Sequence, residues 1–142
     1  MMRYQRTNES VRKPERKTAG AAGWDLHAHL PQIGAMVFAP GQTRRVSTGI
    51  RLEIGPSFMG LILPRSSATE VFDTKHPPID SDYRGEVSII LHNTSGESQT
   101  VTSGQRLAQL VILPCYPCEM VEAEDLSDTA RGSGAFGSTG QG

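Results

Sequence analysis

Four stretches of this chain carry residue types suited to a polyanionic, multi-oxygen substrate. The run Ile79-Asp-Ser-Asp-Tyr-Arg-Gly-Glu86 leads straight into an apolar, strand-like segment, 87–91, so Asp80 lies at a strand mouth with Tyr83 three residues on. A carboxylate there suits a general base, and the tyrosine a stacking partner. Asp, Ser and Gly are also turn formers, and taken alone the run reads first as a β-turn. It is not a calcium loop: an EF-hand needs an oxygen ligand at its fifth position and Glu at its twelfth, where this chain has Arg84 and Leu91. Pro64-Arg-Ser-Ser67 sets an arginine and two hydroxyls at the end of another apolar run, either an anion grip or an ordinary polar loop. Ala21-Ala-Gly-Trp-Asp-Leu26 places Asp25 between apolar neighbours, as a ligand or as a carboxylate satisfied by backbone amides. In Gly104-Gln-Arg-Leu-Ala-Gln109 the polar Gln109 interrupts an apolar run, so it is expected to be buried and to need a partner, structural or ligand.

The chain closes on Arg131-Gly-Ser-Gly-Ala-Phe-Gly-Ser-Thr-Gly-Gln-Gly142, with five glycines, one arginine, one phenylalanine and three hydroxyl residues. Such a segment builds no core. Glycine lets backbone amides approach phosphate oxygens, Arg131 adds a planar, permanently charged fork, and Phe136 could stack on a base. The alternative is a flexible Gly/Ser-rich tail, and the segment by itself divides evenly between the two.

Short strands must position these groups. With 142 residues the chain is one domain, and 37% hydrophobic content with 15 Gly and 9 Pro suits strands joined by turns rather than long helices. Apolar and charged residues alternate in Ile50-Arg-Leu-Glu-Ile54, and Val87, Ile89 and Leu91 share one side of theirs. The segments 58–63 and 107–113 are almost wholly apolar, as expected of strands buried on both faces. Turn dipeptides recur at Pro40-Gly41, Gly55-Pro56, Ser95-Gly96 and Ser103-Gly104. The pattern predicts an all-β sandwich, jelly roll or barrel. Its expected divisions are an extended N-terminal arm over 1–20, a β body over 21–122 and a C-terminal arm over 123–142.

The net charge of −1 excludes a global basic field for nucleic acid. Charge is uneven, however. Arg3, Arg6, Arg12, Lys13, Arg16 and Lys17 crowd the N-terminal arm, while Glu119, Glu122, Glu124, Asp125 and Asp128 have no basic residue among them. Both read first as solvated segments and second as interaction arms. No apolar run approaches the ~20 residues that span a bilayer, and the polar N-terminus is unlike a signal peptide, so a soluble intracellular protein without membrane partners is expected. Cys115 and Cys118 follow a strand-like run, with neither a helix to activate a thiol nor a second pair to complete a zinc cage, and read as incidental.

Taken together and in order, these motifs resemble the five motifs of the homotrimeric dUTPase family over about residues 21–140, the strand-mouth run and the glycine-rich close being the diagnostic pieces. The resemblance implies a jelly-roll-like β-barrel and a homotrimer with sites at subunit boundaries, each closed by a C-terminal arm. It implies dUTP as substrate, cleaved to dUMP and pyrophosphate by water that Asp80 activates for attack at the α-phosphorus, with Mg²⁺ as cofactor. Tyr83 resembles the residue beneath the deoxyribose, where a ribose 2′-hydroxyl would clash. Asp25 resembles the carboxylate that holds Mg²⁺ through water. Arg65, Ser66 and Gln109 resemble phosphate-side contacts, Arg131 the γ-phosphate clamp, Phe136 the ring over uracil, and Ser138 and Thr139 further phosphate donors. Ser67, Ile79 and Gly137 complete the implied substrate-binding set. The implied location is cytoplasmic, or nuclear, or a host cell if the source is viral.

The chain departs from the family pattern in three places. Ala68 stands where leucine is usual, and Trp24 where tyrosine is. The stretch between Arg65 and Asp80 is short, and Pro77-Pro78 replace the small residue before the catalytic aspartate. Proline has no N–H to offer a base, so uracil must be read by a different amide or a reshaped hairpin. Two other readings share these motifs. A dCTP deaminase-like enzyme on the same fold is opposed by Tyr83 and Phe136, and a nucleotide-gated regulatory protein is opposed by a base retained at Asp80.

Overall fold

A computed structural model of the protein describes residues 2–65 and 70–135. Ser66 and Ser67, and Phe136, Gly137, Ser138 and Thr139, therefore lie outside the described residues. Nine strands and no helix form within them. The strands are β1 (Arg3–Arg6), β2 (Trp24–His27), β3 (Ala35–Phe38), β4 (Thr43–Glu53), β5 (Phe58–Pro64), β6 (Phe72–Thr74), β7 (Glu86–Asn93), β8 (Gln99–Thr102) and β9 (Arg106–Pro114). They pair antiparallel in three sheets, ordered β1-β4-β7-β6, β2-β9-β5 and β3-β8. The sheets wrap one core in a jelly-roll-like arrangement. No described helix is long and apolar enough to cross a membrane.

Alternation explains how the core forms. Along β7 every second residue, Val87, Ile89, Leu91 and Asn93, turns inward and is buried. They meet Val46, Ile50 and Leu52 from β4, Phe38 from β3, and Leu107 and Leu110 from β9. Phe38 and Phe72 pack edge to face with centroids 5.2 Å apart. The N-terminal arm is stitched to this body: β1 pairs with β4, and Val11 is 2% exposed within the core.

The expectation of strands buried on both faces is not met within one chain. In β5 and β9 burial alternates instead, with Phe58 45% and Leu113 38% exposed. Only one face of the β2-β9-β5 sheet packs on the chain's own core, and the other keeps an apolar side chain set partly open.

Asn93 holds a corner of the barrel. It is fully buried, and its Nδ2 donates to the carbonyls of Phe38 (3.1 Å), Ala39 (3.2 Å) and Glu97 (2.8 Å). Its Oδ1 accepts from the Ser95 amide (2.9 Å) and hydroxyl (2.7 Å). Removing it strands buried carbonyls without donors. Asn93→Ala is therefore expected to lower stability by about 3 kcal/mol, read as a lower denaturant midpoint at unchanged slope; a midpoint equal to the parent's would show that water replaces the side chain.

Candidate active site

Asp80 and Tyr83 share the first of two clusters. An isolated bridge places them: Ile79 donates its amide to Gly60 O (2.8 Å) and accepts from Gly60 N (3.0 Å), pinning the strand mouth to β5. Ile79 is buried and both its backbone groups are used in this bridge. The chain then turns, with Tyr83 N donating to Asp80 O (3.1 Å), which leaves the Asp80 carboxylate exposed. The turn reading and the base reading are thus compatible.

Tyr83 folds back over Gly85 and donates its hydroxyl to Glu86 O (3.1 Å). Glu86 in turn accepts the Gly49 amide (2.9 Å) and the Ser47 hydroxyl at Oε1. Those two residues belong to a bulge in β4, where the register shifts between Ser47 and Ile50 and Gly49 adopts φ +68°. A cavity of about 310 Å³ opens here, lined among others by Asp80, Tyr83, Glu86, Lys75 and Pro78.

The second cluster lies on the β2-β9-β5 sheet. In the central strand β9, Gln109 stands opposite Asp25 of β2 on one side and Leu63 of β5 on the other, and Arg65 follows two residues after Leu63. Arg106 donates to Asp25 Oδ2 at 2.8 Å, and Arg65 Nε lies 3.9 Å from Asp25 Oδ1. Three motifs distant in sequence meet because one strand pairs with two others. Gln109 is half-buried rather than buried, and its amide has no partner among the described residues. Beside it, burial and the Arg12 guanidinium push the His27 imidazole below its ordinary value, against the pull of Asp25.

Arg106 was not among the residues singled out from the sequence. Its signal lay in the Gly104–Gln109 run, where it precedes the apolar segment. None of Asp25, Arg65 or Gln109 lines the Asp80 cavity. In a single chain Asp80 and Tyr83 stand apart from Asp25, Arg65 and Gln109. Arg131 sits in a turn of the C-terminal arm and donates to Gly134 O (2.7 Å).

The dUTPase family model matches residues 9–140. The chain belongs to the dUTPase family. A deoxyuridine 5′-triphosphate nucleotidohydrolase of Beijerinckia indica subsp. indica is 42% identical over 139 residues, covering 94% of this chain and 86% of its own. One from Idiomarina loihiensis is 40% identical, covering 96% and 92%. The fold is shared with solved dUTPases. That of Staphylococcus bacteriophage 80alpha with dUpNHpp has a TM-score of 0.87 at 23% identity, covering 97% of both chains. That of phage phi11, described as coordinating a structural Mg(II) ion, has a TM-score of 0.79 at 22% identity, covering 88% of this chain and 97% of the other.

Proposed function

We propose that this dUTPase family member hydrolyses dUTP to dUMP and pyrophosphate at a site shared between subunits of a homotrimer. One observation carries the reading: β9 sets Gln109 between Asp25 and the strand that Arg65 follows, apart from Asp80 and Tyr83. A base without phosphate contacts and phosphate contacts without a base are complementary halves, and a second copy supplies what each lacks. The partly open apolar face of β5 and β9 supports such assembly, as does the stretch after β9, whose Tyr116, Met120, Val121 and Leu126 are at least 81% exposed.

In this reading the Asp80 carboxylate takes a proton from the attacking water, and Tyr83 forms the platform beneath the deoxyribose. Arg65, Ser66, Ser67 and Gln109 hold phosphate oxygens. Arg131, Phe136, Gly137, Ser138 and Thr139 close the site from the third chain, excluding water and strengthening every charge interaction inside.

Among the described residues no three His, Cys, Asp or Glu side chains gather as a metal cage. The donor set at Asp25 nevertheless fits hydrated Mg²⁺. Oδ2 is engaged by Arg106, while among the described residues Oδ1 has only Arg65 at 3.9 Å, beyond hydrogen-bond distance, which leaves it to a metal-bound water. Bound there, the ion would neutralise triphosphate charge.

Base reading follows from an amide count. Between Lys75 and Ile79, Lys75 N donates to Ile90 O (3.0 Å) and Ile79 N to Gly60 O, and Pro77 and Pro78 have no N–H. The His76 amide is the one backbone donor of this segment left for a base carbonyl among the described residues.

Pyrophosphate release measured across dUTP, dTTP, dCTP and UTP, with and without Mg²⁺, tests the reading. Release from dUTP at least about 100-fold above the others is expected. A stable monomer inert toward dUTP would overturn it.

A further inference from the structure

The basic N-terminal arm has no part in the reaction just described, yet it builds a cavity. Arg12, Glu15, Arg16 and Lys17 from the arm meet Arg106, Asp25 and His27 of the body around about 270 Å³. The arm is held there by backbone pairing, since Asp25 N donates to Glu15 O at 2.8 Å. Four permanent cations face the two carboxylates Glu15 and Asp25, a net +2 with His27 neutral, in a chain whose total is −1.

The acids cancel only part of this charge. Asp25 Oδ2 pairs with Arg106 at 2.8 Å, which leaves Arg12, Arg16 and Lys17 of the arm against Glu15 alone. Structural duties occupy only part of the cations. Arg16 donates to the carbonyls of Ala19 (3.0 Å) and Ala21 (2.5 Å) and lies 5.0 Å over the Trp24 ring. Arg12 gives one N–H to Gly104 O (3.2 Å). Lys17 has no hydrogen bond among the described residues. His27 Nδ1 is buried with no partner among them. Concentrated, unspent positive charge beside an unsatisfied buried nitrogen is the chemistry of an oxyanion site.

We propose that this cavity binds a free phosphate oxyanion, pyrophosphate above orthophosphate, on the face of Asp25 opposite Arg65. The site stands on the arm's own geometry; the preference for pyrophosphate rests on the function proposed above, whose product it would receive. Asp25 then divides two phosphate environments. Arg65 faces one oxygen, and Arg106 with the arm cations faces the other.

The chain's only tryptophan reports on the site, because Trp24 carries Arg16 on its ring. The full-length protein, without dUTP, is titrated with sodium pyrophosphate, sodium phosphate and sodium chloride at matched ionic strength, and Trp24 fluorescence is followed. A saturable change with pyrophosphate, a weaker one with phosphate and none with chloride is expected. Lys17→Ala should weaken pyrophosphate about two- to fivefold, and Lys17→Ala with Arg12→Ala about tenfold. The single Lys17 variant removes no hydrogen bond among the described residues, so it tests the site without threatening the fold.

A response that chloride reproduces, or a midpoint that neither variant moves, overturns the proposal. Phosphate saturating as tightly as pyrophosphate keeps an anion site but removes the link to the product. Normal dUTP turnover with no saturable pyrophosphate signal sinks this inference alone. Saturable binding in a protein inert to dUTP sinks the proposed function alone.

Discussion

Asparagine at position 80 is expected to cut pyrophosphate release from dUTP by about 10³-fold while leaving nucleotide affinity within a few-fold. The substitution keeps the size and hydrogen-bonding reach of the side chain and removes only its basicity. The fold has no stake in the change. Asp80 is exposed, its carboxylate has no hydrogen bond among the described residues, and its structural role is the backbone carbonyl that accepts Tyr83 N at 3.1 Å. Asparagine retains that carbonyl. Steady-state pyrophosphate release and calorimetric titration with dUpNHpp separate the two effects. Parallel loss of binding would make Asp80 a ligand contact rather than a base, and unchanged turnover would remove it from the chemistry.

The strand mouth was legible in the sequence because its two signals are local. Asp80 and Tyr83 lie within one turn, and the alternation of Val87, Ile89 and Leu91 fixes which way the next strand faces. The limits of β5 and β9 were also readable, since apolar runs ending at Pro64 and Pro114 leave little choice. Their burial was not. An all-apolar strand looks the same whether its second face meets its own chain or another copy, and Phe58 and Leu113 are open in this one.

Pairing was invisible for a similar reason. Nothing in the composition of residues 104–109 says that Gln109 will stand between Asp25 and Leu63, because register is set by partners more than 40 residues away. Arg106 and Asn93 escaped notice because each looks ordinary in its run. Their meaning lies in the groups that surround them, a carboxylate for one and three carbonyls for the other. The basic arm, by contrast, was plain in composition, but charge alone does not distinguish a solvated segment from one folded against Asp25.

Gly85→Ala should lower kcat/KM for dUTP by about 100-fold, the scale of a misplaced positioning group. A Cβ at this position would run into the Tyr83 hydroxyl oxygen and lie 2.5 Å from Cζ and 2.9 Å from Cε2. Those distances are far inside contact, and the crowded atoms belong to the ring itself, so Tyr83 must swing off its seat. The hydroxyl bond to Glu86 O at 3.1 Å is then lost, and with it the link to the Ser47–Gly49 bulge that Glu86 braces. If the ring is the surface on which a 2′-hydroxyl would clash, the displaced ring also admits ribose, and the preference for dUTP over UTP should fall about tenfold.

Tyr83→Phe supplies the contrast. It deletes the hydroxyl but leaves the ring over Gly85, so it should cost no more than about fivefold in kcat/KM and keep the sugar preference. Combining the two changes should not rescue Gly85→Ala, because the Cζ and Cε2 contacts remain. A Gly85→Ala enzyme that keeps full discrimination against UTP would show that the sugar is read elsewhere in the site, and would move Tyr83 from specificity to support.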